Sequence, residues 1–272
     1  MAYMISLDLD ETLLKTNKKI NVFTKFYLRR LLKHGHYVII NTGRPYQSAE
    51  RFYKSIGLKN LPIISSNGTN ITYYDNEANM THEEIFNFDA NELKEFYLKA
   101  RKYFVGFHIQ YIRKQILLED GYNPFWLLHP KAGIEIKYYE DLLPYMEDKP
   151  MLSNVYLKDE DIEAARKILD ECKSLSYRIW KLEGGISSFE IFKKGIGKGV
   201  AMLYLADKLG IDKDNIYAFG DQFNDLDMLT KAKYGVAMVN AIKEVKEKVN
   251  YVTYKDNNHN GVVHYLYKRG VK

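Results

Sequence analysis

The chain has one cysteine in 272 residues, Cys172, so no disulfide can form within it. No His or Cys accompanies it at metal-ligand spacing. Its place beside Leu169 in a helical pattern reads as structural rather than nucleophilic. Long apolar runs are missing as well. No stretch reaches the roughly eighteen residues of a membrane-crossing helix, and Asp8, Asp10 and Glu11 interrupt the first apolar run early, which argues against an export signal. The expectation is a cytoplasmic protein with no membrane partner. Net charge is small, +5 from 40 basic and 35 acidic residues. The densest basic stretch, Lys243 to Lys248, alternates with Glu244 and Glu247 and reads as a solvated helix face, so no nucleic-acid partner is expected. Internal repeats, low-complexity tracts and flexible linkers are absent. So is a nucleotide-binding P-loop: in Gly195-Ile196-Gly197-Lys198-Gly199 a glycine stands where that motif needs Ser or Thr.

What remains is a globular composition, 46% hydrophobic, with length for one large domain or two modest ones. The first third alternates short apolar runs with helical patterns. Tyr3 to Leu9, Tyr37 to Ile40 and Pro62 to Ser65 read as strands. Val22 to His34 and Pro45 to Ile56 read as helices, each followed by a glycine suited to a helix end. Strands separated by helices imply parallel β-α-β units, with functional residues at the strand C-terminal ends. From about Thr81 the texture changes. Strand runs at Val105 to Ile112 and Gln115 to Leu118 follow each other closely, and Asp89 with Glu92 resembles a capping box opening a helix that continues to Tyr103. A helix over Asp159 to Lys173 lies between strands at Met151 to Leu157 and Tyr177 to Leu182. The parallel pattern then resumes, with helices over Lys198 to Lys208, Asn224 to Ala232 and Ala241 to Val249 and strands at Ile216 to Phe219 and Tyr234 to Met238. The fold class expected is α/β: a Rossmann-like parallel-sheet core, residues 1–81 and 185–272, with an inserted α+β cap domain over 82–184.

Four motifs sit at strand ends or helix starts. Asp8-Leu9-Asp10-Glu11-Thr12 follows the first strand. Alternation along the strand puts Asp8 and Asp10 on one side, where one carboxylate can stay ionised while the other exchanges a proton. Asn41-Thr42-Gly43-Arg44 follows the second strand. Thr-Gly alone is an ordinary turn, but a hydroxyl and backbone N–H groups before a helix can hold phosphate oxygens. Lys198 opens a helix, against the helix dipole, which points to a nearby anion. Gly220-Asp221-Gln222-Phe223-Asn224-Asp225 places two more acids after a strand, hard oxygen ligands of the kind Mg²⁺ takes. Each motif alone has an innocuous reading as a turn, a cap or a solvated Lys. Together, on one edge of a parallel sheet, they supply acids, a Lys and a hydroxyl, which is what phosphoryl transfer needs.

With these motifs the sequence resembles the haloacid dehalogenase-like superfamily and, within it, the Cof-type hydrolases. Ser66-Asn67-Gly68, Gly235-Val236-Ala237-Met238, Asn240-Ala241 and Asn260-Gly261-Val262 add to the resemblance. It implies a Mg²⁺-dependent phosphatase acting on a small phosphorylated metabolite through an aspartyl-phosphate intermediate, with sugar phosphates, flavin mononucleotide and pyridoxal phosphate as substrate types. Asp8 is the implied nucleophile and Asp10 the implied proton donor and acceptor. Leu9, Thr42, Gly43, Arg44, Lys198 and Asn224 are the implied phosphate or substrate contacts. Asp8, Asp10 through its carbonyl, Asp221 and Asp225 are the implied metal set, Asp225 supporting the metal or Lys198 from behind. Phe125, Trp126 and Tyr138 of the insert are candidates to stack on a substrate ring. The chain departs from the family where Glu11 replaces the usual Gly. A phosphomutase using the same Asp8, or a non-catalytic phosphometabolite-binding protein, is the alternative. A monomer or small homo-oligomer is expected.

Overall fold

The computed structural model describes residues 2–57, 62–75, 78–111, 115–122, 135–146 and 149–271. Two compact units emerge, one formed by Met1–Glu84 with Gly197–Lys272 and the other by Ile85–Ile196.

In the first unit, β1 (Met4–Leu7), β2 (Tyr37–Asn41) and β3 (Ile63–Ser65) alternate with α1 (Val22–Lys33) and α2 (Tyr46–Ile56). A hairpin, β4 (Asn70–Asp75) and β5 (Met80–Ile85), follows. In the second unit come α3 (Ala90–Ala100), β6 (Phe104–Gln110), β7 (Gln115–Glu119), β8 (Glu135–Tyr139), β9 (Leu152–Lys158), α4 (Ile162–Leu169), β10 (Leu175–Lys181) and β11 (Ile186–Lys193). The chain returns to the first unit with α5 (Lys198–Lys208), β12 (Ile216–Gly220), α6 (Leu226–Lys231), β13 (Tyr234–Ala237), α7 (Lys243–Lys246), β14 (Tyr251–Val252) and α8 (Gly261–Lys268).

The first unit is built on an eight-stranded sheet in the order β14-β13-β12-β1-β2-β3-β4-β5. Its pairings from β14 to β3 are parallel, and β4 turns antiparallel against β3. Met4, Ile5 and Leu7 are fully buried, as a strand covered on both faces requires. The parallel register has one consequence for function. The residues just beyond β1, β2 and β12, namely Asp8, Thr42 and Asp221, emerge on the same sheet edge.

The second unit carries a six-stranded sheet in the order β10-β11-β9-β6-β7-β8, antiparallel except for the β7–β8 pair. One face is apolar: Phe107, Ile109, Val155, Leu157, Phe189 and Ile191 pack against residues of α3 and α4 such as Leu93, Phe96 and Leu169. The alternate residues form a buried polar face. His108 lies opposite Asn154 in register, its Nε2 3.1 Å from Asn154 Nδ2 and its Nδ1 3.2 Å from Tyr156 Oη.

Several expectations change in detail. The insert runs to Ile196 rather than residue 184, because β11 is paired on both sides, to β10 and β9, and belongs to the insert's sheet. Asp89 accepts from the Asn91 amide at 2.9 Å, but Glu92 does not close a capping box. Its carboxylate accepts instead from the Lys173 and Ser174 amides, at 3.0 and 2.8 Å, and so ties α3 to the turn before β10. The helix expected over Ala241 to Val249 contracts to Lys243–Lys246, and that over Asn224 to Ala232 becomes a 3₁₀ turn, Phe223–Asp225, followed by α6. Ile112, Phe125 and Trp126 lie outside the described residues. Tyr138, on β8, is exposed.

Candidate active site

At the edge where β1, β12 and α5 meet, a fully buried Lys198 ammonium lies 2.6 Å from Asp8 Oδ1 and 2.6 Å from Asp225 Oδ1. Asp221 stands beside them, its Oδ1 accepting from Thr12 Oγ1 at 3.0 Å. A cation at a helix N-terminus is unfavourable without a counter-charge, and here it has two. Asp227 also caps α5, its Oδ2 accepting from the Gly199 and Val200 amides at 2.7 and 3.3 Å. Gly199 is what lets α5 sit so close to that turn: a Cβ there would lie 2.4 Å from the Asp227 carbonyl oxygen. Gly220 has the same role under Asp225. A Cβ at Gly220 would lie 2.4 Å from Asp225 Cβ, so only glycine allows the Asp225 carboxylate to fold back onto the Asp221 and Gln222 amides, at 2.9 and 3.0 Å.

Ligand oxygens of Asp8, Asp221 and Asp225 lie within 4.8 Å of one another. One Lys cation faces three buried carboxylates, so negative charge is in excess. Burial, helped by Asp225 and Asp221 against the pull of Lys198, holds the Asp8 carboxyl well above its usual range. Burial and Asp225 push Asp221 up to about 7. Burial opposes the charge on Lys198, but Asp225 and Asp8 outweigh it and raise the ammonium pKa. Excess negative charge from hard oxygen donors is the environment a divalent cation such as Mg²⁺ fits. The donors are not equivalent. Asp225 has Oδ1 on Lys198 and Oδ2 on two backbone amides, whereas Asp8 meets Lys198 through Oδ1 and Asp221 is held by Thr12 and Gln222.

Asp10 stands outside this acid group. Arg44 grips it in a fork, Nε to Oδ2 at 2.6 Å and Nη2 to Oδ1 at 2.7 Å, and Lys18 Nζ lies 3.0 Å from Oδ1. Burial would raise the Asp10 carboxyl, but these bonds outweigh it and hold it below the usual carboxylate range. Arg44, expected to face substrate, is thus committed to Asp10 and, at 3.3 Å, to Ser48 Oγ. Leu9 is buried in the turn between the two acids, its carbonyl accepting from the Leu14 amide at 2.7 Å. Thr42 is buried, its hydroxyl accepting from the Arg44 amide at 3.2 Å.

Asn67 carries no role in the sequence reading, yet it links the second motif to the fourth. Its amide donates to the Thr42 carbonyl at 3.0 Å, and its Oδ1 accepts from Asn224 Nδ2 at 2.9 Å. It sits at φ 55°, directly after Ser66 at φ 48°. Two adjacent non-glycine residues in the left-handed region mark stored backbone strain of the kind found at functional sites. The signal available in advance was the Ser66-Asn67-Gly68 triplet after β3. Thr12, which holds Asp221, was visible within the first motif.

Comparisons with known proteins identify the family. The family model described as haloacid dehalogenase-like hydrolase matches residues 5–266. The 5-amino-6-(5-phospho-D-ribitylamino)uracil phosphatase YitU of Bacillus subtilis (strain 168) is 31% identical over 274 residues, covering 97% of this chain and 96% of the relative. A second B. subtilis protein of the same description, YcsE, is 26% identical over 253 residues, covering 92% and 89%. Among solved structures, a haloacid dehalogenase-like hydrolase from Bacteroides thetaiotaomicron superposes with a TM-score of 0.79 at 23% identity, covering 99% of this chain and all of that one. Among the described residues, no helix is long and apolar enough to cross a membrane.

Proposed function

This chain belongs to the haloacid dehalogenase-like hydrolases, and we propose that it is a Mg²⁺-dependent phosphatase of a small phosphorylated metabolite, with Asp8 as nucleophile. The observation that carries the reading is the buried Lys198 held between Asp8 and Asp225. Lys198 orients Asp8 and opposes the rise that burial gives its carboxyl, and its charge lies where phosphoryl oxygens would gather.

An Asp8 oxygen attacks phosphorus in line, and the bond from phosphorus to the ester oxygen breaks with its electron pair moving to that oxygen. Asp10, protonated for this step against the pull of Arg44 and Lys18, gives its proton to the departing alkoxide. It then takes a proton from the water whose oxygen attacks the aspartyl phosphate, which frees Asp8 and inorganic phosphate and returns Asp10 to its starting form. Thr42, the Leu9 and Gly43 backbone, Asn224 and Lys198 hold the transferring group. Asp225 fixes Lys198 from behind. Asp8, Asp221 and the Asp10 carbonyl would hold Mg²⁺, which supplies neutralisation of the phosphoryl charge.

For the substrate, two relatives named for a phosphorylated ribitylaminouracil support a phosphate ester on a polyol chain bearing a heterocycle. That compound heads a panel that also holds flavin mononucleotide, pyridoxal phosphate and sugar phosphates. The test is phosphate release across the panel with Mg²⁺ or with chelator, comparing wild type with Asp8→Asn. Turnover that needs Mg²⁺ and is lost in D8N is expected. A folded, Mg²⁺-loaded protein that releases phosphate from no ester would overturn the reading, in favour of a mutase or a binding protein.

A further inference from the structure

The loop that carries both acids holds one residue the motif does not require. Glu11 sits at φ 53°, ψ 10°, in the left-handed region that favours glycine. Despite that strain its side chain is well anchored. Oε2 accepts from Thr16 Oγ1 at 3.1 Å and from Asn257 Nδ2 at 2.9 Å, and Oε1 accepts from Lys18 Nζ at 3.3 Å. Its carbonyl accepts from Asn240 Nδ2 at 2.8 Å. Lys18 itself sits at φ 59°, in a turn closed by its amide on the Lys15 carbonyl at 2.7 Å. This pins its ammonium between Glu11 and Asp10.

We propose that Glu11 is a positioning residue: it holds Lys18 against Oδ1 of Asp10 and so, with Arg44, fixes the orientation of the Asp10 carboxyl toward the leaving group. The inference rests on the reading of Asp10 as proton donor. The bonds to the carboxyl are asymmetric. Oδ1 takes Arg44 Nη2 and Lys18, whereas Oδ2 takes Arg44 Nε alone. Arg44 sets the plane of the carboxyl, and Lys18 distinguishes its two oxygens. Lys18 can do this only while Glu11 balances its charge and limits its rotamers, since a half-exposed Lys paired to one carboxylate is loosely held.

The test separates this role from a merely structural one by leaving group. An alkyl ester needs its alkoxide protonated as it departs, whereas p-nitrophenolate leaves without help. Glu11→Gly suits the backbone and removes the carboxylate. Glu11→Gln keeps acceptors for Thr16 and Asn257 but loses the charge facing Lys18. Both variants, and Lys18→Met, are expected to lower kcat on alkyl phosphates by about tenfold and on p-nitrophenyl phosphate by less than about twofold. The double variant E11Q/K18M should fall no further than either single one, because both act through one contact. Equal loss on both esters, or additive losses, would overturn the inference while the phosphatase reading stands. A readout free of turnover decides the Glu11–Lys18 link separately. Acetylation of Lys18 by acetic anhydride, followed by mass spectrometry, should be about threefold faster in E11Q than in wild type. Unchanged reactivity would overturn the inference even if no ester is hydrolysed.

Discussion

Both units bury charge, and they handle it in opposite ways. In the insert, each buried acid among the described residues is matched where it lies. Glu119, almost fully buried, is paired with Arg101 and accepts from Tyr97 Oη at 2.9 Å. Glu190 accepts from Arg178 Nη1 and Trp180 Nε1, both at 3.0 Å. In the first unit, Asp8, Asp221 and Asp225 share a single Lys198. Desolvating a charge is costly unless a partner offsets it. The insert therefore reads as charge used for structure, and the acid cluster as charge left over for a cation and a phosphoryl group.

Lys198→Met breaks the comparison most severely. It leaves three buried carboxylates with no protein cation, at a cost of about 3–5 kcal/mol in urea denaturation with chelator present. Added Mg²⁺ is expected to restore part of that stability, while phosphate release stays lost. Full stability in chelator would mean that the cluster is not charge-strained.

Acid should reveal the insert instead. Burial lowers the His108 pKa to about 3 from an ordinary 6.5, so the folded protein keeps the ring neutral where the unfolded chain protonates it. The stability this gives is complete above pH 6.5 and is lost as pH falls towards 3, the loss reaching about 2 kcal/mol at pH 5. His108→Gln should flatten the stability curve between pH 6.5 and 5, and a curve of unchanged slope would contradict this. Smaller again is Arg101→Met. Arg101 is partly exposed and Tyr97 still serves Glu119, so we expect a loss of about 1 kcal/mol, with phosphate release per folded molecule unchanged.

The sequence made the site's members legible because parallel strands deliver their C-terminal residues to one edge, and short apolar runs mark where those strands end. Asp8, Thr42 and Asp221 follow strand ends by that rule, whereas Lys198 was read from its place at the start of a helix. The rule could not foresee partners brought in from elsewhere in the chain. Asn67 became a link only when β3 lay beside β2. Glu92 fits a capping box locally, but the turn at Lys173 and Ser174 offered its carboxylate stronger donors. The hairpin β4–β5 gave little signal because Met80 and Thr81 are exposed and the rest of β5 is only half-buried, so its hydrophobic alternation is weak. The end of the insert was misplaced because nothing in the sequence of β11 tells which sheet it joins, and only its pairing to β9 and β10 assigns it to the insert.

The sheet order also has a consequence for synthesis. β1 is made first, yet one of its two neighbours is β12, and the Lys that faces Asp8 follows it by 190 residues. A chain emerging from the ribosome can complete the insert, whose contacts lie within one continuous segment, while the central strand of the other unit still lacks a flank and Asp8 lacks its cation. Long-range pairings of this kind are slow to close. The segment from Lys198 to Asp225 thus brings both the cation that faces Asp8 and the other two carboxylates, so the site assembles only once that segment has joined β1.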